Sequence, residues 1–265
     1  MLEYKIHQDK FKEYVVFLHG IGGSSTIFGK QLHVFKKHFN VITIHLPGHG
    51  NSPSVKSYEE DFSIDLNIRE VLNVLDHLGI ERAHFVGVSL GSIFIHALLQ
   101  RHPERVLSAV MAGCITRFTT FASILLKLGD TIKSFIPFMW LYKIFAYIMM
   151  PRNNHAISRK LFIREAKKMN RHDFLCWYRL TPFVKSTYER VQEHASHIPK
   201  LYISGKEDHL FVKALEKDVR EDRSAEKVFL DDCGHVCNVE KPKEFNEHAL
   251  DFLIRQQTMS LRKVQ

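Results

Sequence analysis

Apolar positions along this chain follow two rhythms. The short unbroken runs Tyr14-Val15-Val16-Phe17-Leu18 and Val41-Ile42-Thr43-Ile44 read as strands buried on both faces. Each ends in turn residues, His19-Gly20 after the first and Leu46-Pro47-Gly48 after the second. Between them Ile27, Phe28, Leu32, Phe35 and Phe39 recur at the spacing of one helical face. Strand, helix, strand predicts parallel pairing, because two parallel strands need a crossover long enough to return the chain.

The alternation continues with a helix over 62–78, a strand over 84–88, a helix over 90–101 and a strand over 107–112. It resumes with a strand over 200–204, a helix over 212–220, a strand over 227–230 and a last helix over 242–255. Residues 2–7 leave room only for a short additional strand, and 256–265 read as a frayed polar tail. The class is α/β, a mainly parallel sheet flanked by helices on both faces.

The gap between the two series, 115–194, has helical patterning and no clear strand, and is too long for a structureless loop in a compact domain. A helical insertion is expected there, leaving 1–114 and 195–265 as the core. Residues 135–150 are its most apolar part, but Pro137 and Lys143 interrupt them. A bilayer span needs ~20 predominantly apolar residues, so no transmembrane helix is expected.

Composition changes this picture little: 45% apolar and 25% charged residues in 265 suit one globular domain. A net charge of +8 favours anionic surfaces. The Lys and Arg look scattered along the chain rather than gathered in a block, and no basic and aromatic motif accompanies them. That argues against nucleic acid and toward peripheral contact of the insertion with a membrane surface. Four cysteines without paired metal spacing, and a Met1 to Lys10 segment without an apolar signal region, predict a cytoplasmic setting. Cys233 and Cys237 flank His235, but the second cluster of a structural zinc site is missing, so neither metal nor cofactor is expected.

Gly87-Val88-Ser89-Leu90-Gly91 fits G-x-S-x-G and sits between an apolar strand and an apolar-periodic helix, the context that gives the motif meaning. A sharp strand-to-helix turn exposes the serine hydroxyl, and the helix N-terminus favours negative charge beside it. The same residue could instead serve only as a helix cap. A serine is a poor nucleophile until an imidazole takes its proton and a carboxylate fixes the imidazole's tautomer. Asp208, in Gly205-Lys206-Glu207-Asp208, and His235, after Gly234, each follow a predicted strand and so belong to the same sheet edge. Glu207, Asp231 and Asp232 compete for the acid role, and with 17 histidines only position singles out His235. The N–H of Leu90 and that of Ile21, in the glycine-rich turn 19–23, are candidate oxyanion donors.

Together Leu18-His19-Gly20, Leu46-Pro47-Gly48-His49-Gly50-Asn51-Ser52, the Ser89 pentapeptide, Gly205-Lys206-Glu207-Asp208 and Cys233-Gly234-His235 resemble the α/β-hydrolase superfamily of serine hydrolases. The resemblance covers the chain outside the insertion. It implies the α/β-hydrolase fold with 115–194 as a cap, as in carboxylesterases and monoacylglycerol-lipase-like enzymes. It departs from the pattern at His45, where such proteins usually carry Asp. The activity it implies is hydrolysis of carboxylic esters, lipid esters among them, through a Ser-His-Asp acyl-enzyme mechanism. Carbon-carbon bond hydrolysis, acyl transfer and non-catalytic ligand binding stay open as alternatives. Phe138, Trp140, Leu141 and Phe145 of the cap are candidate contacts for an apolar acyl or aromatic group.

Overall fold

A computed structural model describes residues 1–7, 10–11, 13–133, 135–220 and 222–263. Seven strands form one sheet: β1 Tyr4–Ile6, β2 Tyr14–Leu18, β3 Asn40–Ile44, β4 Ala83–Val88, β5 Val106–Ala112, β6 Lys200–Gly205 and β7 Ala225–Leu230. Their order is β1-β3-β2-β4-β5-β6-β7. Only β1 is antiparallel, pairing with β3 through Tyr4 opposite Ile44; the other pairings are parallel. The short strand expected within 2–7 is therefore this edge strand.

Alternation along each strand sorts side chains to two packed faces. Val15 and Phe17 join Phe35 of helix α1 (Gly29–Phe35) and Phe245, Ala249 and Phe252 of helix α12 (Pro242–Lys263). Val16 and Leu18 turn to the opposite face, against helices α2 (Ile64–His77) and α3 (Leu90–Arg101). Burial on both faces is why these strands carry continuous apolar runs. Helix α10 (Val212–Asp218) spans β6 and β7 in sequence, and the short α11 (Cys237–Glu240) follows the last strand.

Between β5 and β6 the chain forms α4 (Thr120–Ile132), α5 (Phe138–Met149), α6 (Ala156–Ala166), α7 (Arg171–Arg179), α8 (Val184–Glu189) and α9 (Val191–Ala195). The first four cross the carboxyl ends of the strands. The indole N–H of Trp177 donates to the Pro47 carbonyl at 2.9 Å, and the Asp173 carboxylate accepts from Ser54 Oγ at 2.9 Å and the Val55 N–H at 3.0 Å. The Glu165 carboxylate accepts from Ser24 Oγ at 2.8 Å. In contrast α8 and α9 run along α3 and belong to the core layer. The insertion expected as one cap over 115–194 thus divides, and only its larger, first part roofs the rim.

The final helix extends to Lys263, beyond the polar tail expected from 256 onward. Gln, Met, Leu, Arg and Lys are all good helix formers, so polarity alone does not end a helix. Residues 264 and 265 lie outside the described residues.

Candidate active site

The turn from β4 into α3 carries Ser89 at φ 55° and ψ −114°, a conformation a side chain rarely adopts. It persists because neighbours over-determine it. The Ser89 N–H donates to the Ala112 carbonyl at 2.9 Å, and its own carbonyl accepts from Ser92 Oγ at 2.6 Å and the Ser92 N–H at 2.9 Å. Close approach is possible only without side chains on either side. A Cβ on Gly91 would stand 2.1 Å from the Leu18 carbonyl oxygen, and one on Gly87 would stand 2.6 Å from the Gly91 carbonyl.

The loops after β6 and β7 bring Asp208 and His235 to this turn. Both side chains are buried, whereas Ser89 is half-buried. His235 Nδ1 lies 2.8 Å from Asp208 Oδ2, and His235 Nε2 lies 2.9 Å from Ser89 Oγ. A carboxylate can only accept, so Nδ1 carries the proton and Nε2 accepts the serine hydroxyl. The other Asp208 oxygen, Oδ1, has no hydrogen-bond partner among the described residues. A buried carboxylate bonded once is stabilised further when the imidazole becomes a cation. Gly113, at φ 51°, lets the β5 loop pass under the histidine: a Cβ there would lie 2.2 Å from the His235 carbonyl oxygen.

The competing acids are spent elsewhere. Glu207 pairs with Arg152, with Asn154 Nδ2 at 2.8 Å and with His155 Nε2 at 2.8 Å. Asp231 meets Lys206 at 2.7 Å, and Asp232 takes a left-handed turn at φ 49°. Cys233 and Cys237 are buried, and burial pushes the Cys237 thiol up to about 12, so it stays protonated. With both nitrogens of His235 engaged, these residues form no cation site, and no cluster of potential metal ligands occurs among the described residues.

Opposite Ser89, the 19–24 turn is held by histidines that position alone did not single out in the sequence. The His49 ring accepts the Gly22 N–H at Nε2, at 2.9 Å, and donates from Nδ1 to the Pro47 carbonyl at 3.0 Å. The His19 ring accepts the Leu46 N–H at 3.1 Å and donates to the Gly20 carbonyl at 2.8 Å. Both roles require neutral imidazoles, and burial supplies that state, holding His49 down at about 4 and His19 well below its ordinary value. The Ile21 carbonyl accepts the Tyr142 hydroxyl of α5 at 2.8 Å, so the peptide beside Ser89 is fixed from the roof as well. His45, the departure from the family pattern, donates to Glu3 at 2.6 Å and accepts from the Ser25 N–H at 3.0 Å. The carboxylate comes from the N-terminal segment instead of from position 45. Leu90 is the first residue of α3, where a helical N–H has no partner within the helix.

A cavity of about 110 Å³ opens from Ser89 beneath the roof, lined by Ile21, Leu90, Leu141, Phe145, Met149 and Trp177 among others, with no charged side chain in its wall among the described residues. Leu141 and Phe145 therefore stand where the sequence pointed, but Phe138 and Trp140 do not. Phe138 packs outside the cavity against Phe174, with ring centroids 5.5 Å apart, and Trp140 is 63% exposed. Eleven of the twelve residues of α5 are apolar, so no periodicity distinguishes its inner face from its outer one. A second void of about 30 Å³, enough for a water molecule, lies between Ser89, His235 and Ser158 of α6.

The model of the α/β hydrolase fold matches residues 13–136. The chain has the α/β-hydrolase fold. Among curated relatives of this α/β hydrolase, a 2-hydroxy-6-oxononadienedioate/2-hydroxy-6-oxononatrienedioate hydrolase of Paraburkholderia phymatum is 29% identical, over 91% of this chain and 87% of that protein. Among solved structures, a carboxylesterase of Nitrososphaera gargenis superposes with a TM-score of 0.78 at 20% identity, over 97% of this chain and 95% of the other. An enol-lactonase of Burkholderia xenovorans does so with a TM-score of 0.76 at 20% identity, over 96% of each chain. The structural likenesses speak for the fold of this α/β hydrolase, and the relatives place it in the hydrolase class.

Proposed function

We propose that this α/β hydrolase is a serine hydrolase that cleaves carboxylic esters bearing a small apolar acyl or aromatic group. Ser89 Oγ attacks the acyl carbon while His235 Nε2 takes its proton, and the N–H groups of Leu90 and Ile21 receive the developing oxyanion. His235 then returns that proton to the departing alcohol oxygen. Water reaching the acyl carbon through the small void beside His235 loses a proton to the imidazole as it adds, and His235 returns that proton to Ser89 Oγ as the acyl–oxygen bond breaks and the carboxylic acid leaves. Asp208 stays ionised and stabilises the imidazolium in both steps.

The observation that carries this reading is the hydrogen-bonded series Asp208, His235, Ser89 opening onto an uncharged cavity. The cavity also bears on the competing carbon-carbon bond reaction. A dioate substrate, as named for the Paraburkholderia relative, brings two carboxylates, and among the described residues no cationic side chain lines this wall to meet them. Its volume is below the ~150 Å³ of an apolar cavity that takes benzene, which favours short acyl groups unless α4 and α5 shift. A series of p-nitrophenyl esters from acetate to palmitate tests this, with turnover expected to be highest at the short end. Ser89→Ala is expected to lower kcat by about 10⁴-fold or more and to abolish covalent labelling by a fluorophosphonate. Undiminished ester turnover in that variant would overturn the assignment, and an unlabelled native protein would favour a ligand binder.

A further inference from the structure

The roof is apolar on its outside as well as its inside. On α4, Ala122, Leu125 and Gly129 face inward, while Phe121, Ile124 and Leu128 are each more than half exposed. On α5, Leu141, Phe145 and Met149 line the cavity, while Trp140, Ile144 and Tyr147 are 47–63% exposed. Phe135, in the link between the helices, is 86% exposed. Single exposed apolar residues are ordinary, but two consecutive helices that both present large apolar side chains on their outer face as well as their inner one are unusual for a surface washed by water.

Charge accompanies this surface. The basic residues are spread along the sequence but the acids are not, so the net charge is concentrated when the chain is divided at the insertion: 115–194 hold 14 of the 37 Lys and Arg but only 5 of the 29 Asp and Glu. That segment carries all of the net positive charge, and the remainder of the chain is close to neutral. The one acid of α4 and α5, Asp130, is paired with Lys133. Cations stand beside exposed rings: the Arg159 guanidinium lies 4.6 Å from the Tyr147 ring centroid and the Lys143 ammonium 5.8 Å from that of Trp140. Aliphatic stems and rings on the apolar side with cationic ends at its margin match a headgroup boundary.

We propose that α4 and α5 dock on an anionic lipid surface, with Ile124, Ile144 and Tyr147 inserted at the headgroup level and Lys127, Lys143 and Arg159 against lipid phosphates. Charge complementarity selects this occupant, since a second copy would bring the same positive face and repel. No helix of the described residues is long and apolar enough to cross a membrane, so the contact is peripheral. Docking needs only the outer face of the roof and does not depend on the proposed ester hydrolysis.

The test is co-sedimentation of the full chain with vesicles of phosphatidylcholine alone and of equal parts phosphatidylcholine and phosphatidylglycerol. Binding to the anionic vesicles is expected to be at least about tenfold tighter, and weaker at high salt. Ile124→Ser combined with Ile144→Ser and Tyr147→Ser, and separately Lys127→Glu with Lys143→Glu, should each weaken binding by about tenfold. Ser89→Ala should bind like the native chain, which separates failure of docking from failure of the catalytic reading. Equal binding to both vesicles, or binding that neither variant changes, would overturn the proposal. So would a concentration-dependent dimer in lipid-free solution that the triple Ser variant abolishes, because the face would then belong to a second copy.

Discussion

Around Ser89 the chain is fixed by backbone, with a missing Cβ at Gly91 and Gly113 and peptide groups bonded to Ser92, His19 and His49. In the roof, only a short distance away, α4 and α5 are placed by apolar side chains and a few polar ties such as Tyr142 to Ile21. The rim depends on backbone approaches that leave no room for added atoms, and the roof depends mainly on the bulk of its side chains. A hydrolytic site divides this way because proton transfer requires hydrogen-bond distances, whereas an acyl pocket requires only shape and dryness.

The largest expected effect breaks the rim. Asp208→Asn should lower kcat by about 10⁴-fold with little change in KM, since an amide can hold the imidazole in the wrong tautomer; steady-state kinetics on a short ester checks it, and a loss below tenfold would remove Asp208 from the mechanism. Gly113→Ala comes next. Its Cβ meets the His235 carbonyl and its φ is positive, so a loss of about 3 kcal/mol is expected, read as a fall in Tm of roughly 10 °C.

The histidines under the 19–24 turn give a pH signature to the same comparison. Folding holds His49 at about 4 against 6.5 when free, so the unfolded chain binds more protons between these values. The stability due to its neutral form is complete above about pH 6.5 and is lost as pH falls toward 4, by about 3 kcal/mol. Thermal unfolding across that range should show the fall, and His49→Gln should make it shallower, leaving the part due to His19 and His96.

Tyr142→Phe sharpens the boundary between the regions. It keeps the roof's bulk but leaves the Ile21 carbonyl without its partner, so kcat should fall by about tenfold while KM holds. The smallest effect is expected at Phe138→Ala and Trp140→Ala, which lie off the cavity wall. Each should change kcat/KM on a soluble ester by less than about twofold, whereas Phe145→Ala should alter the acyl-length profile.

What could be read in the linear chain follows from locality. The strand runs, the spacing of their helices and the residues following β4, β6 and β7 were legible because a strand end and a motif are defined by neighbours in sequence. The split of 115–194, with α8 and α9 joining the core beside α3, was not, because helical patterning is the same whether a helix lies on a sheet or over its edge. His19, His49 and Tyr142 were missed for a related reason: nothing in the sequence around a histidine or tyrosine tells which distant carbonyl or N–H it will meet.

The sequence by itself determined the α/β alternation, the serine turn and the strand ends at which Ser89, His235 and the candidate acids stand, since glycine spacing and strand ends leave the backbone little choice. Tertiary structure alone decided which carboxylate faces the imidazole, which half of α5 lines the cavity, and that His45 borrows the carboxylate of Glu3. Those outcomes depend on contacts between segments tens of residues apart, and such contacts exist only once the chain has closed on itself.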